Sequence, residues 1–380
     1  MKKITQYIYI LAVVLFIVLP VPYFHFFGGR YDTTNYENRG LAEFPPLTAD
    51  TVEFFPKAFE DWFNDHLPFR NQMLETVGKF CYEVLHSSSS DTVIVGKDGW
   101  LFYKGGQVNS EDPIGDYRGT NLFTPDELLT IRTRMIQARD ELAARGMRFV
   151  IFIAPNKERM YAEYMPDSYG EPAQFGRMEQ VVQFLRESTD LEVVCAWDDL
   201  QSFKQEHPDL PLYYRYDTHW NSLGAFVGTK TLTEVLGFEH VPMEQIELKD
   251  RGESVFDLAR LIHLANYLTH DNYYQLKNYT PHDMKIEISP GGMEFRYETD
   301  YTAPGDKLFV IGDSFSTMST EFYACHYKKA YMNFYYNYSL DLLEQEQPDT
   351  VVYETVERYL GNMLTFSITD GIGMPGQEGL

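Results

Sequence analysis

Cysteine is scarce: Cys81, Cys195 and Cys325 are the only three among 380 residues, and no two lie at a ligand-like spacing. That scarcity excludes a disulfide framework and a structural zinc site. Cys195, inside the apolar run LEVVCAW, reads as a small buried hydrophobe. Positive charge is also in short supply. Against 56 Asp and Glu stand only 32 Lys and Arg, a formal net charge of -24. A field of that sign repels phosphate backbones, so nucleic acid is excluded as a natural partner and a neutral or weakly charged substrate is favoured. No internal repeat is visible, and 44% hydrophobic with 23% charged residues describes a globular chain able to bury one large core.

Long apolar runs are confined to the amino terminus. Lys2 and Lys3 precede ITQYIYILAVVLFIVLPVPYFHFF, a stretch about long enough to span a bilayer, and the basic residues on its short side predict that this end stays in the cytoplasm. No small-x-small cleavage site follows it, so residues 1–27 are expected to be an uncleaved signal anchor, a transmembrane helix with the rest of the chain outside the cytoplasm. Aromatic residues are abundant, at 16%. Most belong to core and interface, although aromatic faces also suit sugar C–H surfaces.

The remaining chain divides by composition and rhythm. Residues 28–123 form a linker and an N-terminal extension: a Pro- and Asn-containing stretch, a helix ending near His86, and a β-hairpin in VIVGKDGWLFY joined through Lys97, Asp98 and Gly99. From 124 to 237 the pattern becomes α/β. Thr124 and Glu127 make a capping box, Pro125 suits the first helical position, and Gly146 closes the helix. The buried strands RFVIFIAP and LEVVCAW follow, then the loop YYRYDTHWN and an apolar helix from Leu223 to Leu236. Residues 238–304 read as an insertion, 305–365 resume the rhythm with KLFVIGDS, AYMNFYY and TVVYETVERYL, and 366–380 form a loose tail. Five buried strands alternating with helices predict a doubly wound, mostly parallel sheet.

In such a sheet ligands bind outside the carboxyl ends of the strands. KLFVIGDSFS places Ser314 at such an end: Gly312 permits a sharp turn, Asp313 follows it, and the serine opens the next helix with its own N–H facing any oxyanion formed beside it. A serine hydroxyl needs a base, and the base needs a carboxylate to fix its tautomer. DTHW supplies both. Asp217 and His219, two apart, point the same way from an extended segment, and Trp220 is placed to wall the site. His66 and His326 compete for the role of base but lack a comparable strand-end setting.

These segments, with NRGLAEFP, FEDWFNDHLPFRNQ, APNKERMYAEYMP and YETVERYL, resemble the alginate O-acetyltransferase AlgX/AlgJ-like SGNH proteins and the related bacterial DHHW proteins over most of the chain from about Asn38 to Leu360. The DHHW tetrad stands here as Asp217, Thr218, His219 and Trp220, departing at its second position. The Asp/His block precedes the serine block, which resembles the circular permutation of the acetyltransferase branch. The resemblance places a Gly-block equivalent near Asn337 or Tyr338 and an Asn-block equivalent on VVYETVER. Glu354 and Thr355 stand in that second place instead, leaving the second oxyanion donor open. Arg358 and Glu354, four apart, are expected to pair with each other or line the site. Asn156 and Lys157, just past RFVIFIAP, either cap the following turn or, for Lys157, hold a substrate oxygen.

The resemblance implies an extracytoplasmic O-acetyltransferase, a single-pass membrane protein acting through an acyl-serine on a polysaccharide acceptor. It implies no cofactor or metal, the acetyl group arriving from a membrane-bound partner of the MBOAT type. A carbohydrate acetylesterase with the same triad, and a non-catalytic glycan-binding or assembly subunit, are the alternatives.

Overall fold

The computed structural model of the chain describes residues 2–30, 33–35, 40–106, 111–280, 282–301 and 307–372. It separates into two compact units, residues 1–91 with 255–268, and residues 92–254 with 269–380.

In the first unit the apolar amino-terminal segment forms two helices, Lys2–Val18 and Pro20–Phe27. Among the described residues no helix is long and apolar enough to cross a membrane. The helix expected over residues 1–27 is interrupted at Leu19. The helical run is divided ahead of Pro20, which has no N–H to continue the ladder. FEDWFNDHLPFRNQML likewise makes two helices, Phe55–Asp65 and Arg70–Glu83, separated around Pro68. The second packs closely on residues 262–264, since a Cβ at Gly78 would stand 2.5 Å from the Ile262 carbonyl oxygen.

The second unit is built on a seven-stranded sheet. Its strands are β1 (Arg148–Ala154), β2 (Glu192–Cys195), β3 (Met284–Ile288), β4 (Glu294–Thr299), β5 (Lys307–Gly312), β6 (Lys329–Phe334) and β7 (Thr350–Val356). They lie in the order β2-β1-β7-β5-β6-β4-β3. The first five are mutually parallel, and the last two add antiparallel.

Alternation along the strands builds two cores. Val150, Phe152, Leu308 and Val310 face one layer, while Phe149, Ile151, Phe309 and Ile311 face the other. Helices α1 (Pro125–Ala143), α2 (Arg177–Ser188) and α5 (Leu340–Glu346) cover the second face, and α3 (Ser222–Gly228) and α4 (Ser316–Ala324) cover the first. The sheet is therefore wound on both sides, as the rhythm of buried runs predicts. The Thr124 capping box forms, with the Thr124 N–H donating to Glu127 Oε2 at 2.7 Å and the Glu127 N–H to Thr124 Oγ1 at 3.3 Å. Gly146 ends the turn after α1 at φ +78°.

Three expectations change. The segment 238–304, expected as an insertion, contributes two strands, β3 and β4, to the edge of the main sheet. Its KIEI and EFRYET runs both alternate polar with apolar residues; Phe295 and Tyr297 of β4 are buried while Ile286 and Ile288 of β3 stay exposed, and residues 289–293, with Gly291 and Gly292 at positive φ, join the two strands. The apolar run from Leu223 to Leu236 splits into α3 and a short helix, Lys230–Val235. The expected loose tail is partly ordered: Phe366–Ser367 pairs with Gly371–Ile372, and the remainder, 373–380, lies outside the described residues.

Candidate active site

The carboxyl ends of β1, β7 and β5 are neighbours, so the residues following Ala154, Val356 and Gly312 meet at one rim of the sheet. After β5 the chain must turn at once into α4. A Cβ at Gly312 would stand 2.0 Å from Ser316 Oγ, so only glycine fits there. Asp313 holds the turn: its carboxylate accepts the N–H of Phe315 at 2.8 Å and that of Val356 at 2.7 Å, tying the ends of β5 and β7 together. Burial raises this carboxyl above its ordinary range. Ser314 is thereby fixed between a strand end and a helix start.

The segment from Leu212 to Asn221 is not regular secondary structure, yet it is held as firmly. Tyr213 bridges Trp220, the Tyr214 N–H donates to the His219 carbonyl at 3.2 Å and the Asn221 N–H to the Leu212 carbonyl at 2.9 Å. Asn221 then caps α3, its Oδ1 accepting the Gly224 N–H at 2.9 Å. The Leu212 carbonyl oxygen lies 1.9 Å from where a Cβ on Gly224 would stand, so that helix position is closed to any side chain. The Tyr213 hydroxyl donates to the Pro155 carbonyl at 2.7 Å. The Trp220 indole N–H donates to the Phe315 carbonyl at 3.1 Å, joining this loop to the serine turn.

The result is a continuous relay. His219 Nε2 and Ser314 Oγ are 2.7 Å apart, and His219 Nδ1 and Asp217 Oδ1 are 2.6 Å apart. Asp217 Oδ1 also accepts the His219 N–H at 3.1 Å, which seats the carboxylate within its own turn. The His219 and Asp217 side chains keep 21% and 14% of their surface accessible, so the relay opens to solvent on one side. A hydroxyl, an imidazole and a carboxylate in this order make a nucleophile, a base and an orienting group available to an acyl carbon.

Lys157 has a different place from either expected one. It is 1% exposed, and its ammonium donates to the carbonyls of Leu101 at 2.5 Å, Arg215 at 2.9 Å and Asp217 at 2.8 Å. It is a positioning residue for the Asp217 loop, and these three carbonyls, not a substrate oxygen, take up its donors. Asn156 is similarly engaged: Nδ2 donates to Asp116 Oδ2 at 2.9 Å, and Oδ1 accepts the Arg358 N–H at 3.2 Å. Trp220 is wholly buried and serves as a strut, not a wall facing substrate.

Glu354 does not pair with Arg358. Glu354 lies in an extended strand that ends at Val356 and Arg358 in the 3-10 turn after it, so the α-helical spacing that would unite them never arises. Glu354 instead turns toward α4, accepting from the Ser319 hydroxyl at 2.5 Å and the Tyr323 hydroxyl at 2.7 Å. Burial pushes its carboxyl up to about 8. The two competing histidines lie elsewhere in their own surroundings. His66 Nδ1 is 2.8 Å from the Trp62 carbonyl. His326 stacks on Phe238, and burial holds its imidazole down to about 4.

Sequence reading missed the buried ionic network beneath the rim. Arg177 pairs with Asp116 at 2.8 Å, and Arg159 pairs with Glu179 at 2.8 Å and Glu357 at 3.1 Å. Glu357 also accepts the Asn156 N–H at 3.0 Å. The partners are separated by 20 to 201 residues, so no local spacing announces them.

Residues 93–325 match the family described as SGNH hydrolase-like domain, acetyltransferase AlgX. The chain is 24% identical over 338 residues to the probable alginate O-acetylase AlgJ of Pseudomonas aeruginosa, covering 80% of this chain and 79% of that protein. It is 23% identical over 341 residues to the protein of the same description from Pseudomonas syringae pv. tomato, covering 80% and 78%. Among solved structures, that of Bacillus cereus PatB1 with a sulfonyl adduct matches with a TM-score of 0.50 at 12% identity, covering 72% of this chain and 99% of that one. At that identity the likeness concerns the fold.

Proposed function

This chain belongs to the SGNH hydrolase-like acetyltransferase family of AlgX, and from that premise we propose that it transfers an acetyl group, through an ester on Ser314, to hydroxyls of an exported polysaccharide. The observation that carries the reading is the unbroken hydrogen-bond relay from Ser314 Oγ through His219 to Asp217.

In the first step Ser314 Oγ attacks the carbonyl carbon of an acetyl donor while His219 Nε2 takes the hydroxyl proton. The carbonyl electron pair moves onto oxygen, beside the Ser314 N–H, and collapse expels the donor's leaving group with the proton from His219. In the second step a sugar hydroxyl gives its proton to His219 and attacks the acetyl-serine, restoring the Ser314 hydroxyl. Asp217 keeps Nδ1 protonated and stabilises the imidazolium without accepting the proton itself.

The polysaccharide acceptor is supported by the relatives described as alginate O-acetylases. The extracytoplasmic setting rests on the Lys2–Lys3 pair followed by an apolar segment whose Ile4, Tyr7, Ile8 and Leu11 side chains are exposed, a suitable anchor surface for a bilayer. Outside the cytoplasm the acetyl group needs delivery across the membrane, and in this reading the family resemblance supports a membrane-bound MBOAT-type partner as the donor.

Incubating the full chain in detergent with an activated acetyl ester and an oligosaccharide tests the reading. Acetylated sugar that disappears in Ser314→Ala is the expected result. Release of acetate alone, with the sugar unmodified at every concentration, replaces transfer with esterase chemistry.

A further inference from the structure

An acyl-serine mechanism needs more than one donor for the oxyanion; the strand where the family resemblance anticipates an asparagine carries Glu354 instead, and the polar side chains at the strand ends are otherwise engaged. Glu354 is committed to Ser319 and Tyr323, and Asn156 to Asp116 and the Arg358 backbone. Asn333 Nδ2 donates to the Asn337 carbonyl at 3.2 Å. One strongly charged side chain at the same rim has its donors unspent.

Arg358 stands two residues beyond β7, in the 3-10 turn Glu357–Leu364. Its backbone is pinned on both sides. The N–H donates to Asn156 Oδ1 at 3.2 Å, and the carbonyl accepts from Arg177 Nη2 at 3.4 Å. The residue is 6% exposed. Its guanidinium carbon lies 5.1 Å from the Phe315 ring centroid and 5.1 Å from that of Tyr359. The His219 imidazole lies 5.0 Å from the same Phe315 ring, so guanidinium and imidazole both border the residue that directly follows Ser314.

Among the described residues this guanidinium makes no hydrogen bond and no ion pair, and its Nε is wholly buried without a partner. That is costly for a charged group, since a buried donor left unmade forfeits its hydration without return. The contrast with its neighbours is direct. Arg159 and Arg177 also leave Nε without a hydrogen bond, but each is paired with carboxylates, Arg159 with Glu179 and Glu357 and Arg177 with Asp116, whereas among the described residues no carboxylate pairs with Arg358. Asp313, Glu111 and Glu158 balance the Arg358 charge from a distance while leaving its donors free.

Resting on the acyl-serine reading above, we infer that Arg358 is a catalytic residue, the second oxyanion donor, taking the part an asparagine amide would otherwise play. As the Oγ–C bond forms, the C=O π pair becomes an alkoxide oxygen that accepts N–H from Arg358 and from the Ser314 backbone. When that pair re-forms the carbonyl, the bond to the leaving group breaks and both donors are released for the second step. A full positive charge at this position stabilises the intermediate more than the neutral ground-state carbonyl, so its removal acts on kcat.

The test uses the full chain with p-nitrophenyl acetate as donor, comparing wild type with Arg358→Met, Arg358→Lys and Arg358→Ala. Expected for Arg358→Met is a loss of about 10²–10³ in kcat with KM nearly unchanged, and saturable recovery when methylguanidinium is added to Arg358→Ala. A wild-type kcat in Arg358→Met, or a defect confined to KM, overturns the assignment. Should the Met and Ala variants fail to fold, Arg358→Lys decides: a kcat loss of about tenfold or more at constant KM supports the role, and full activity refutes it. Ser314→Ala, run in parallel, separates the two claims, because activity there removes the acyl-serine reading itself.

Discussion

Ser314 and His219 reach one hydrogen bond from two unlike supports. The serine stands on a strand–turn–helix corner whose geometry follows from regular structure: β5 ends at Gly312, and α4 begins two residues after Ser314. The histidine stands on an irregular loop held by hydrogen bonds to distant positions, chiefly from the Lys157 ammonium to the loop and from the loop's own Tyr213 hydroxyl and Trp220 indole outward. The corner is specified by local sterics and the sheet. The loop is specified by long-range hydrogen bonds, each of which can be removed singly, so the two halves of the site are expected to fail in different ways.

The largest effect belongs to the corner itself. Ser314→Ala is expected to lower acetyl transfer by about 10⁴-fold or more with an unchanged melting temperature, measured by initial rates and thermal unfolding. On the loop side, Asp217→Asn leaves the fold in place but favours the wrong imidazole tautomer, and the expected loss is about 10²–10⁴ in kcat. A variant within about threefold of wild type would show that the Asp217 contact is ornamental.

Lys157→Met separates support from chemistry. It strips three backbone carbonyls of their shared donor in a buried site, and an expected cost of about 3 kcal/mol follows from leaving such groups unpaired. Denaturant unfolding should show that loss together with reduced kcat. Undiminished stability would mean that the loop holds itself. Trp220→Phe removes the indole N–H that links loop and corner and leaves a gap in a buried site, and about 2 kcal/mol is the expected loss in the same assay.

The smallest effect lies behind the corner, at Glu354. Its folded-state carboxyl is raised to about 8 by burial, so the folded chain retains a proton that the unfolded chain releases in the ordinary carboxylate range. The stability this contributes is complete below that ordinary range and is lost as pH rises toward about 8. Glu354→Gln cannot titrate, and its Tm should fall less steeply than that of wild type between about pH 5 and pH 8. Parallel Tm profiles would place the proton elsewhere.

The same contrast governs what the sequence discloses. The corner was legible, because KLFVIGDS shows a buried strand, a glycine and a helix start in eight consecutive residues. The D-x-H spacing was legible too, as two side chains on one side of an extended segment. The roles of Lys157, Asn156 and Glu354 were not, because each is decided by partners far along the chain, such as Asp217 for Lys157 and Tyr323 for Glu354. Glu354 and Arg358 invited a helical pairing only because residues four apart suggest one, and the strand cancels it. The strands β3 and β4 were hidden for another reason. Their polar alternating runs lie at the edge of a sheet whose centre is marked by continuous apolar ones.

The most direct measurement is the site of acetylation on the protein itself. After brief incubation of the full chain with an activated acetyl ester and acid quench, peptide mapping by mass spectrometry should find one acetyl group on Ser314 in wild type, and none there in His219→Ala. An acetyl group on another residue that turns over into product, or transfer persisting in Ser314→Ala, would contradict the account.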